Sequence, residues 1–551
     1  MHEALTDVLS SKRNEHDRGV TFLTPGDAGG DFLPYARLYA DAAALSAALA
    51  RRGLVPGDRL ILRLDDNQAF VRAFWACVLG GFVPVPTSRP AGADPDAKTT
   101  AETVLPDSLV LRQNWPEADP AGRPPGVLAW AELQAEALAG PSDCPPTPAG
   151  PDTVRLIQFS SGSTGEPKGV VISERNIMAG LRACTPARQD QVVNSMLSWL
   201  PLSHNLSLIG VHVYSLYRNY GQVLMPPEQF AIAPLRWLQA ITTHRPTITF
   251  CPNFACQHVL NALRRAGAEA LAGLDLSSLH KIINGAEPID VATAAEFQRV
   301  LKPAGLRDHA MVPAYGLTEA SLAVATADIY QPLRVLELDR QRVAVGATAA
   351  DAAAPGKAAF VSVGPPAAGL SVDIRLPDGR AAAPGVIGEI WIGGDAVTTR
   401  YVDADGEHSQ PAAPDGHLGT GDIGVLADGQ LFVLGRKKDI IFVNGKNFYS
   451  HDLERVLEAA LPVESAVIGE TDDATGREAV IVFLAPGSPA GPGAAPEPGP
   501  DHAQLAKRAS DTLMRTLGVP TSRVVWVPAI PRTRTGKKRR FALKPWLEPA
   551  A

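Results

Sequence analysis

Apolar residues recur at helical spacing through residues 36–54, ARLYADAAALSAALARRGL, and the run stops at Gly53. RLILRL at 59–64 reads as a short strand. A second helix, AFVRAFWACVLGG, runs from residue 69 through Gly80-Gly81 into the strand FVPVP. Helix and strand therefore alternate across 36–90, the rhythm of a layered α/β sheet. Residues 86–153 are rich in Pro, Ala, Gly and Asp and are predicted to lie on the surface. The rhythm resumes over 154–330, and 331–435 is richer in strand signals: FVSVG, SVDIRL, GEIWIGG and GQLFVLG.

At Gly435 the character changes. Residues 435–461, GRKKDIIFVNGKNFYSHDLERVLEAAL, read as a charged turn, a strand, a tight turn and a helix. The strand AVIVFLAPG follows, then a Pro/Gly-rich loop or linker at 487–502, then the amphipathic helix LAKRASDTLMRTLG. These features predict a boundary near Arg436, with domains at 1–435 and 436–551. The fold class is α/β: a large N-terminal layered domain with a β-rich subdomain, and a small C-terminal α+β domain. The sequence has no internal repeat.

The chain has 551 residues, too many for one hydrophobic core, which supports more than one domain. Its 45% hydrophobic and 20% charged content is that of a soluble globular protein. Lys plus Arg is 51 against 58 Asp plus Glu, a net charge of −7, which argues against a nucleic-acid partner. No run approaches the ~18 apolar residues of a membrane span. The N-terminal MHEALTDVLSSKRNEHDR is polar and mixed in charge, unlike a signal peptide. Five scattered cysteines make no disulfide framework, so a cytoplasmic location is expected.

Five segments carry candidate chemistry. The first, Ser160-Ser161-Gly162-Ser163-Thr164-Gly165-Glu166-Pro167-Lys168, follows the apolar strand VRLIQF. Small residues let the backbone approach a phosphate, successive N–H groups form an anion nest, and Lys168 adds charge. It is neither a Walker A loop nor a nucleophile elbow; the plain alternative is a flexible turn. The second, Asn284-Gly285-Ala286-Glu287-Pro288, and the third, Tyr315-Gly316-Leu317-Thr318-Glu319, are Gly-containing turns after strands. Such turns at strand C-termini are where open α/β sheets bind ligands. Tyr315 suits stacking on a planar base, and Glu319 suits a metal that bridges phosphates.

The fourth segment pairs Gly419-Thr420-Gly421-Asp422 with Gly435-Arg436. Asp422 suits a pair of ribose hydroxyls, and Arg436 can reach ribose or phosphate; the plain reading is a hairpin turn and a solvated charge run. The fifth spans 532–540 and has six basic residues in nine. It is either a basic patch or a tail that delivers Lys537 to a site, with Lys538 expected to be an ordinary solvated charge. Cys251, Cys256 and His258 lack the paired spacing of a metal site and read as packing. His204 alone is undecided.

Taken together, from about residue 20 to the C-terminus, these segments resemble the adenylate-forming superfamily of acyl-CoA synthetases, peptide-synthetase adenylation domains and luciferases. The chain looks most like the fatty acyl-AMP ligases, on SWLPLSHNLSLIG, INGAEPI, VPAYGLTEASLAV and the long segment 322–363, where that family carries an insertion. The resemblance implies ATP and Mg²⁺, a fatty or other apolar carboxylic acid, and release of pyrophosphate. It further implies transfer to the phosphopantetheine arm of an acyl carrier protein, in lipid or natural-product biosynthesis. An acyl-CoA synthetase using free CoA is the alternative.

By resemblance, Ser160 to Gly165 with Lys168 form the phosphate loop, and Gly285 to Pro288 the adenine-side loop. Tyr315 to Thr318 contact adenine, and Glu319, with Thr164, binds the metal. Asp422 and Arg436 serve the ribose, and Lys537, with Glu319, is catalytic. Asp439 is the hinge of a mobile C-terminal lid, and His204, Asn253, Gly285 and Gly316 line the acyl pocket. The family usually has Asp where this chain has Asn205 and Gly where it has Ser207, close to that pocket.

Overall fold

The computed structural model describes residues 2–88, 98–113, 125–140, 145–160, 168–185, 194–329, 331–339, 342–354, 358–410, 412–443, 446–472, 477–486, 502–533 and 537–547. The candidate phosphate loop from Ser161 to Gly165, including Thr164, lies outside them, as do Thr535-Gly536 and most of the 487–502 linker. The chain divides into two compact units. The first comprises Met1–Leu333, Val363–Val372 and Ile392–Leu418, and the second Arg334–Ser362, Asp373–Trp391 and Gly419–Ala551.

The predicted helices and strands of 36–90 form as Tyr35–Arg51, Arg59–Arg63, Asn67–Gly80 and Val83–Pro86. Local chemistry sets their ends. Asp66 accepts a hydrogen bond from the Ala69 N–H at 2.7 Å and starts the helix at Asn67. Gly81, at φ 74°, ends it in the left-handed region that glycine adopts without strain. The 86–153 segment differs from expectation. It contains strands Leu109–Arg112 and Val127–Ala129 and the helix Trp130–Ala139, whose Trp130 and Leu133 are buried. The strands are short, and their apolar residues sit among Pro, Gly and Asp, so periodicity alone does not reveal them.

The main sheet of the first unit orders its strands as Ala323–Thr326, Met311–Gly316, Lys281–Asn284, Ile248–Phe250, Ser195–Ser198, Gly221–Leu224, Gly19–Thr24 and Asp27–Pro34. The six inner strands are parallel, and the two edge strands run antiparallel to their neighbours. From Ser195–Ser198 the chain steps to one side for Gly221–Leu224, then to the other for Ile248–Phe250. That reversal makes a switch point at their C-terminal ends. A hairpin, Val154–Ser160 with Lys168–Ser173, flanks the 161–167 segment, and Lys168 is opposite Ser160 in register.

A buried ion pair anchors this hairpin. Arg155 Nε meets Glu174 Oε2 at 2.6 Å, with side chains 1% and 5% exposed. The guanidinium also donates to the Val78 carbonyl at 3.2 Å, and the other Glu174 oxygen accepts from the Leu5 N–H. A second interior network is neutral. Trp75 Nε1–H donates to His212 Nε2 at 2.8 Å, and His212 Nδ1–H donates to Gln222 Oε1 at 2.9 Å. The Gln222 amide donates to Tyr35 Oη at 2.8 Å, and that hydroxyl donates to the Tyr220 carbonyl at 2.6 Å. Burial pushes the His212 pKa down to about 4.

In the second unit, strands Leu418–Ala427 and Gln430–Arg436 form an antiparallel hairpin. The 322–363 segment supplies Val335–Leu338, Ala358–Val361 and the helix Ala349–Ala352. Leu338, Val343, Ala349, Ala352 and Phe360 pack in one cluster with Ile423, Val425, Phe432, Leu434 and Tyr449. Farther along, Val463–Asp472, Arg477–Pro486 and Arg523–Trp526 make a three-stranded sheet, covered by Ser450–Ala460 and His502–Leu517. Among the described residues, no helix is long and apolar enough to cross a membrane.

Glu174→Gln leaves the Arg155 charge buried without its counter-ion and should cost about 3–5 kcal/mol in urea unfolding followed by tryptophan fluorescence. His212 stays neutral in the folded protein while its unfolded form takes a proton below about pH 6.5. Stability should therefore fall as pH drops from ~6.5 toward about 4, by up to ~1.4 kcal/mol per pH unit from this group. His212→Gln should flatten that part of the profile.

Candidate active site

Four loops leave the C-terminal ends of the parallel strands in the first unit. They follow Ser195–Ser198, Ile248–Phe250, Lys281–Asn284 and Met311–Gly316, and they hold His204, Gly285 to Pro288 and Leu317 to Glu319; Tyr315 and Gly316 close the last of these strands, and Asn253 opens the helix Asn253–Ala266. Backbone packs directly on backbone here, between neighbouring strands at Gly285 and within the 316–322 turn at Gly316. A Cβ on Gly285 would stand 2.5 Å from the Ala314 carbonyl oxygen, and one on Gly316 would stand 2.1 Å from the Leu322 oxygen. No side chain fits either position. Ala286 adopts φ 69°, which turns the loop sharply after Gly285. Two hydrogen bonds tie the second and third loops: Asp290 N–H to Asn253 Oδ1 at 3.0 Å, and Phe254 N–H to Glu287 Oε1 at 2.6 Å. Asn284, at the end of its strand, is fully buried, and neither atom of its amide has a partner among the described residues.

Aromatic rings pack just beyond two of these strand ends, where Trp199 and Phe230 are buried in the core. Trp199 stacks on Phe230 at 3.8 Å and meets Phe254 edge-on at 5.9 Å. His204 caps the helix at 205–218: its Nδ1 accepts from the Leu206 N–H at 3.3 Å, so the ring proton of the neutral form sits on Nε2. The two departures that follow are both buried. Ser207 donates to the Leu200 carbonyl at 2.8 Å, and the Asn205 amide donates to the Ser321 carbonyl. Cys251 and Cys256 are buried thiols with sulfurs 3.2 Å apart, and burial raises the Cys251 pKa well above the usual thiol value. His258 turns away from them, to the Ala231 carbonyl at 3.1 Å.

Glu319 lies in the short turn Thr318–Ala320. Its carboxylate accepts from the Tyr401 hydroxyl at 3.3 Å, and its carbonyl accepts from the Thr398 N–H at 2.8 Å. Burial, reinforced by the Glu319 charge, pushes the Tyr401 hydroxyl up, so it remains a donor. A carboxylate oxygen in a half-buried turn suits a hard divalent cation such as Mg²⁺.

The other candidates lie in the second unit. Asp422 and Arg436 face each other across the 418–436 hairpin, with Nε to Oδ1 at 2.9 Å. The turn before Asp422 is fixed by Gly421 at φ 72°, by Gly421 N–H to Glu389 Oε1 at 3.2 Å, and by Thr420 Oγ1 to the Ile390 carbonyl at 2.8 Å. Burial raises the Asp439 carboxyl pKa. Lys537 forms a backbone turn with Thr533: its N–H donates to Thr533 Oγ1 at 3.1 Å, and its carbonyl accepts from the Thr533 N–H at 2.8 Å.

Lys538 corrects the reading of the basic tail. Its side chain is only 13% exposed and meets Glu454 at 3.1 Å, Glu458 at 2.7 Å and the Ser465 carbonyl at 2.7 Å. Arg540 reaches both Glu454 oxygens, at 2.6 and 2.9 Å, and lies 3.6 Å from Asp439. Burial alone would raise the Glu454 carboxyl pKa; Lys538 and Arg540 outweigh it and hold the group below its ordinary value. A run of basic residues shows no sign of this, because Glu454 lies far back in the sequence.

Residues 11–402 match the AMP-binding enzyme family, and the chain belongs to it. It is 32% identical over 491 residues to the long-chain-fatty-acid–AMP ligase FadD26 of Mycobacterium bovis, covering 84% of this chain and 82% of that one. It is 30% identical over 488 residues to the medium-chain-fatty-acid–[acyl-carrier-protein] ligase JamA of Moorena producens, covering 83% and 81%. A solved structure of the fatty acyl-adenylate ligases from E. coli and L. pneumophila superposes with a TM-score of 0.83 at 27% identity, covering 98% of this chain and 97% of the other.

Lys538→Ala should therefore destabilise the second unit by about 2 kcal/mol in chemical denaturation, the scale of a lost hydrogen bond to a charged group.

Proposed function

We propose that the protein uses ATP and Mg²⁺ to convert a fatty or other apolar carboxylic acid to acyl-AMP, releasing pyrophosphate. The thiol of the phosphopantetheine arm of an acyl carrier protein in the cytoplasm then attacks the acyl carbon, breaking the mixed anhydride and releasing AMP. The observation that carries this reading is the pair of close-packed glycines, Gly285 and Gly316, at the C-terminal ends of adjacent parallel strands, in a chain whose residues 11–402 match the AMP-binding enzyme family. The four described cysteines are free thiols, which fits a reducing compartment.

The acid is already ionised at neutral pH, so its oxygen attacks the α-phosphorus without a general base. The barrier is electrostatic, since one anion must approach another. The Ser160 to Gly165 loop and Lys168 cradle phosphates. Tyr315, Gly316, Leu317 and Thr318, with Gly285 to Pro288, hold the adenine. Asp422, held by Arg436, accepts from the ribose hydroxyls. Glu319, with Thr164, would hold Mg²⁺, which would offset phosphate charge when bound. Lys537 brings its ammonium to the oxygens where negative charge gathers. His204, Asn253, Gly285 and Gly316 line the acyl site, which must exclude water because acyl-AMP is a reactive mixed anhydride.

Residues 436–551 form the lid, hinged at Asp439. Support for a carrier over free CoA comes from the 322–363 segment, whose Leu338, Val343 and Phe360 share a core with Tyr449 of the lid. An ordered tie of this kind resists the large rotation that CoA transfer demands in the wider superfamily.

A carboxylic-acid panel in ATP–pyrophosphate exchange tests the first half-reaction; a folded protein that exchanges with no acid sinks the reading. With a phosphopantetheinylated carrier or CoA as sole acceptor, the carrier should be loaded and acyl-CoA should be scarce. Lys537→Ala should slow acyl-AMP formation by about a hundredfold to a thousandfold, while loading from supplied acyl-AMP survives. Equal adenylation rates would remove Lys537 from the mechanism.

A further inference from the structure

Asn205 stands where the resemblance leads to an expectation about the acyl chain, yet its contacts run elsewhere. It begins the 205–218 helix and is 6% exposed. Its amide donates to the carbonyl of Ser321, two residues beyond Glu319. The amide oxygen has no partner among the described residues. The described contact that holds this side chain is thus a donated hydrogen bond, which an aspartate could not make.

Ser321 is an unusual place to anchor. It is fully buried and adopts φ 61°, a conformation a non-glycine residue holds only when its surroundings impose it. The restraints come from two sides. On one, Ser321 Oγ donates to the Ala396 carbonyl at 3.0 Å, and the Thr398 N–H holds the Glu319 carbonyl at 2.8 Å. On the other stand Asn205 and the same helix at Gly210, where a Cβ would come within 2.9 Å of the Leu322 side chain. The turn at 317–322 is clamped between the 396–398 strand lead-in and the 205–218 helix, and the Glu319 carboxylate projects from it to the Tyr401 hydroxyl.

We infer that Asn205 is a positioning residue for Glu319: its hydrogen bond to Ser321 fixes the turn that presents the carboxylate to the divalent cation bound with ATP. This rests on the adenylating reading above and assigns the Asn205 departure to the nucleotide–metal side of the site. Asn205→Asp is nearly isosteric, but it replaces the donor with a carboxylate facing a carbonyl oxygen, and the turn loses that restraint.

The test has two independent readouts. In ligand-free protein, amide hydrogen exchange across 318–322 should speed up at least tenfold in Asn205→Asp and in Asn205→Ala, with other segments unchanged. In calorimetry without any acid, Mg²⁺ should tighten ATP binding in the wild type, and both variants should lose most of that enhancement. In exchange assays, the Mg²⁺ concentration for half-maximal rate should rise about tenfold while the preferred acyl chain length stays the same. Glu319→Gln should show the same Mg²⁺ defect, and adding Asn205→Ala to it should add little, because the two act through one carboxylate.

A shifted chain-length preference with unaltered Mg²⁺ dependence would overturn the inference, as would unchanged exchange at 318–322. If the wild type adenylates no acid, the proposed function fails, while hydrogen exchange and ATP calorimetry still decide the role of Asn205. Asn205→Ala introduces no charge and serves if the aspartate variant does not fold.

Discussion

One guanidinium–carboxylate pair, sealed from water, sets the frame on which the first unit is hung. Arg155 lies on the strand that leads to the candidate phosphate loop, and Glu174 opens the helix that follows the returning strand. Between them they also hold the Val78 carbonyl and the Leu5 N–H, so the ends of two further helices meet at the same point. A charge pair removed from water holds only while both members and their hydrogen bonds are in place. The hairpin flanking residues 161–167 is therefore held at its base by an interaction with little tolerance for displacement. The helix opened by Glu174 passes Gly180, where a Cβ would meet Ser321 at 3.1 Å, so the same frame reaches the turn that carries Glu319.

Much of this was legible in the sequence, because the relevant signals are local. The helices at 36–54 and 69–81 declare themselves through apolar spacing and their glycine stops. The turn at Gly285 was readable because a glycine directly after an apolar strand marks a strand end, whereas Tyr315-Gly316, read as the same kind of turn, are the last two residues of their strand. What was hidden depends on distance along the chain. The strands at Leu109–Arg112 and Val127–Ala129 are too short to show a period. The partners of Lys538 are 84 and 80 residues away, and that of Asn205 is 116 away, so neither pattern nor composition betrays them. The Trp75–His212–Gln222–Tyr35 chain was invisible for the same reason: each member alone is an unremarked polar or aromatic residue.

The two units solve the problem of buried charge differently. Among the described residues, the first keeps charge in separate pairs, Arg155 with Glu174 and Arg63 with Glu102, beside a neutral network. The second gathers Glu454, Glu458, Lys538, Arg540 and Asp439 into one cluster, where the excess of partners offsets the burial of Glu454. That cluster joins the helix Ser450–Ala460 to the basic tail next to Lys537. Lys538 and Arg540 thereby fix the backbone on the C-terminal side of Lys537.

The apolar face of the 322–363 segment has a bearing on how such a chain changes over evolutionary time. Leu338, Val343, Ala349, Ala352 and Phe360 are core residues that cover Ile423, Val425, Phe432 and Leu434. Deleting the segment would strip that face bare and expose it to aggregation before any new acceptor specificity could be selected. A lineage can gain or lose the segment only alongside compensating changes on the 418–436 hairpin. The hairpin residues at 423, 425, 432 and 434 should thus carry a historical imprint, differing in polarity between relatives that possess the segment and relatives that lack it.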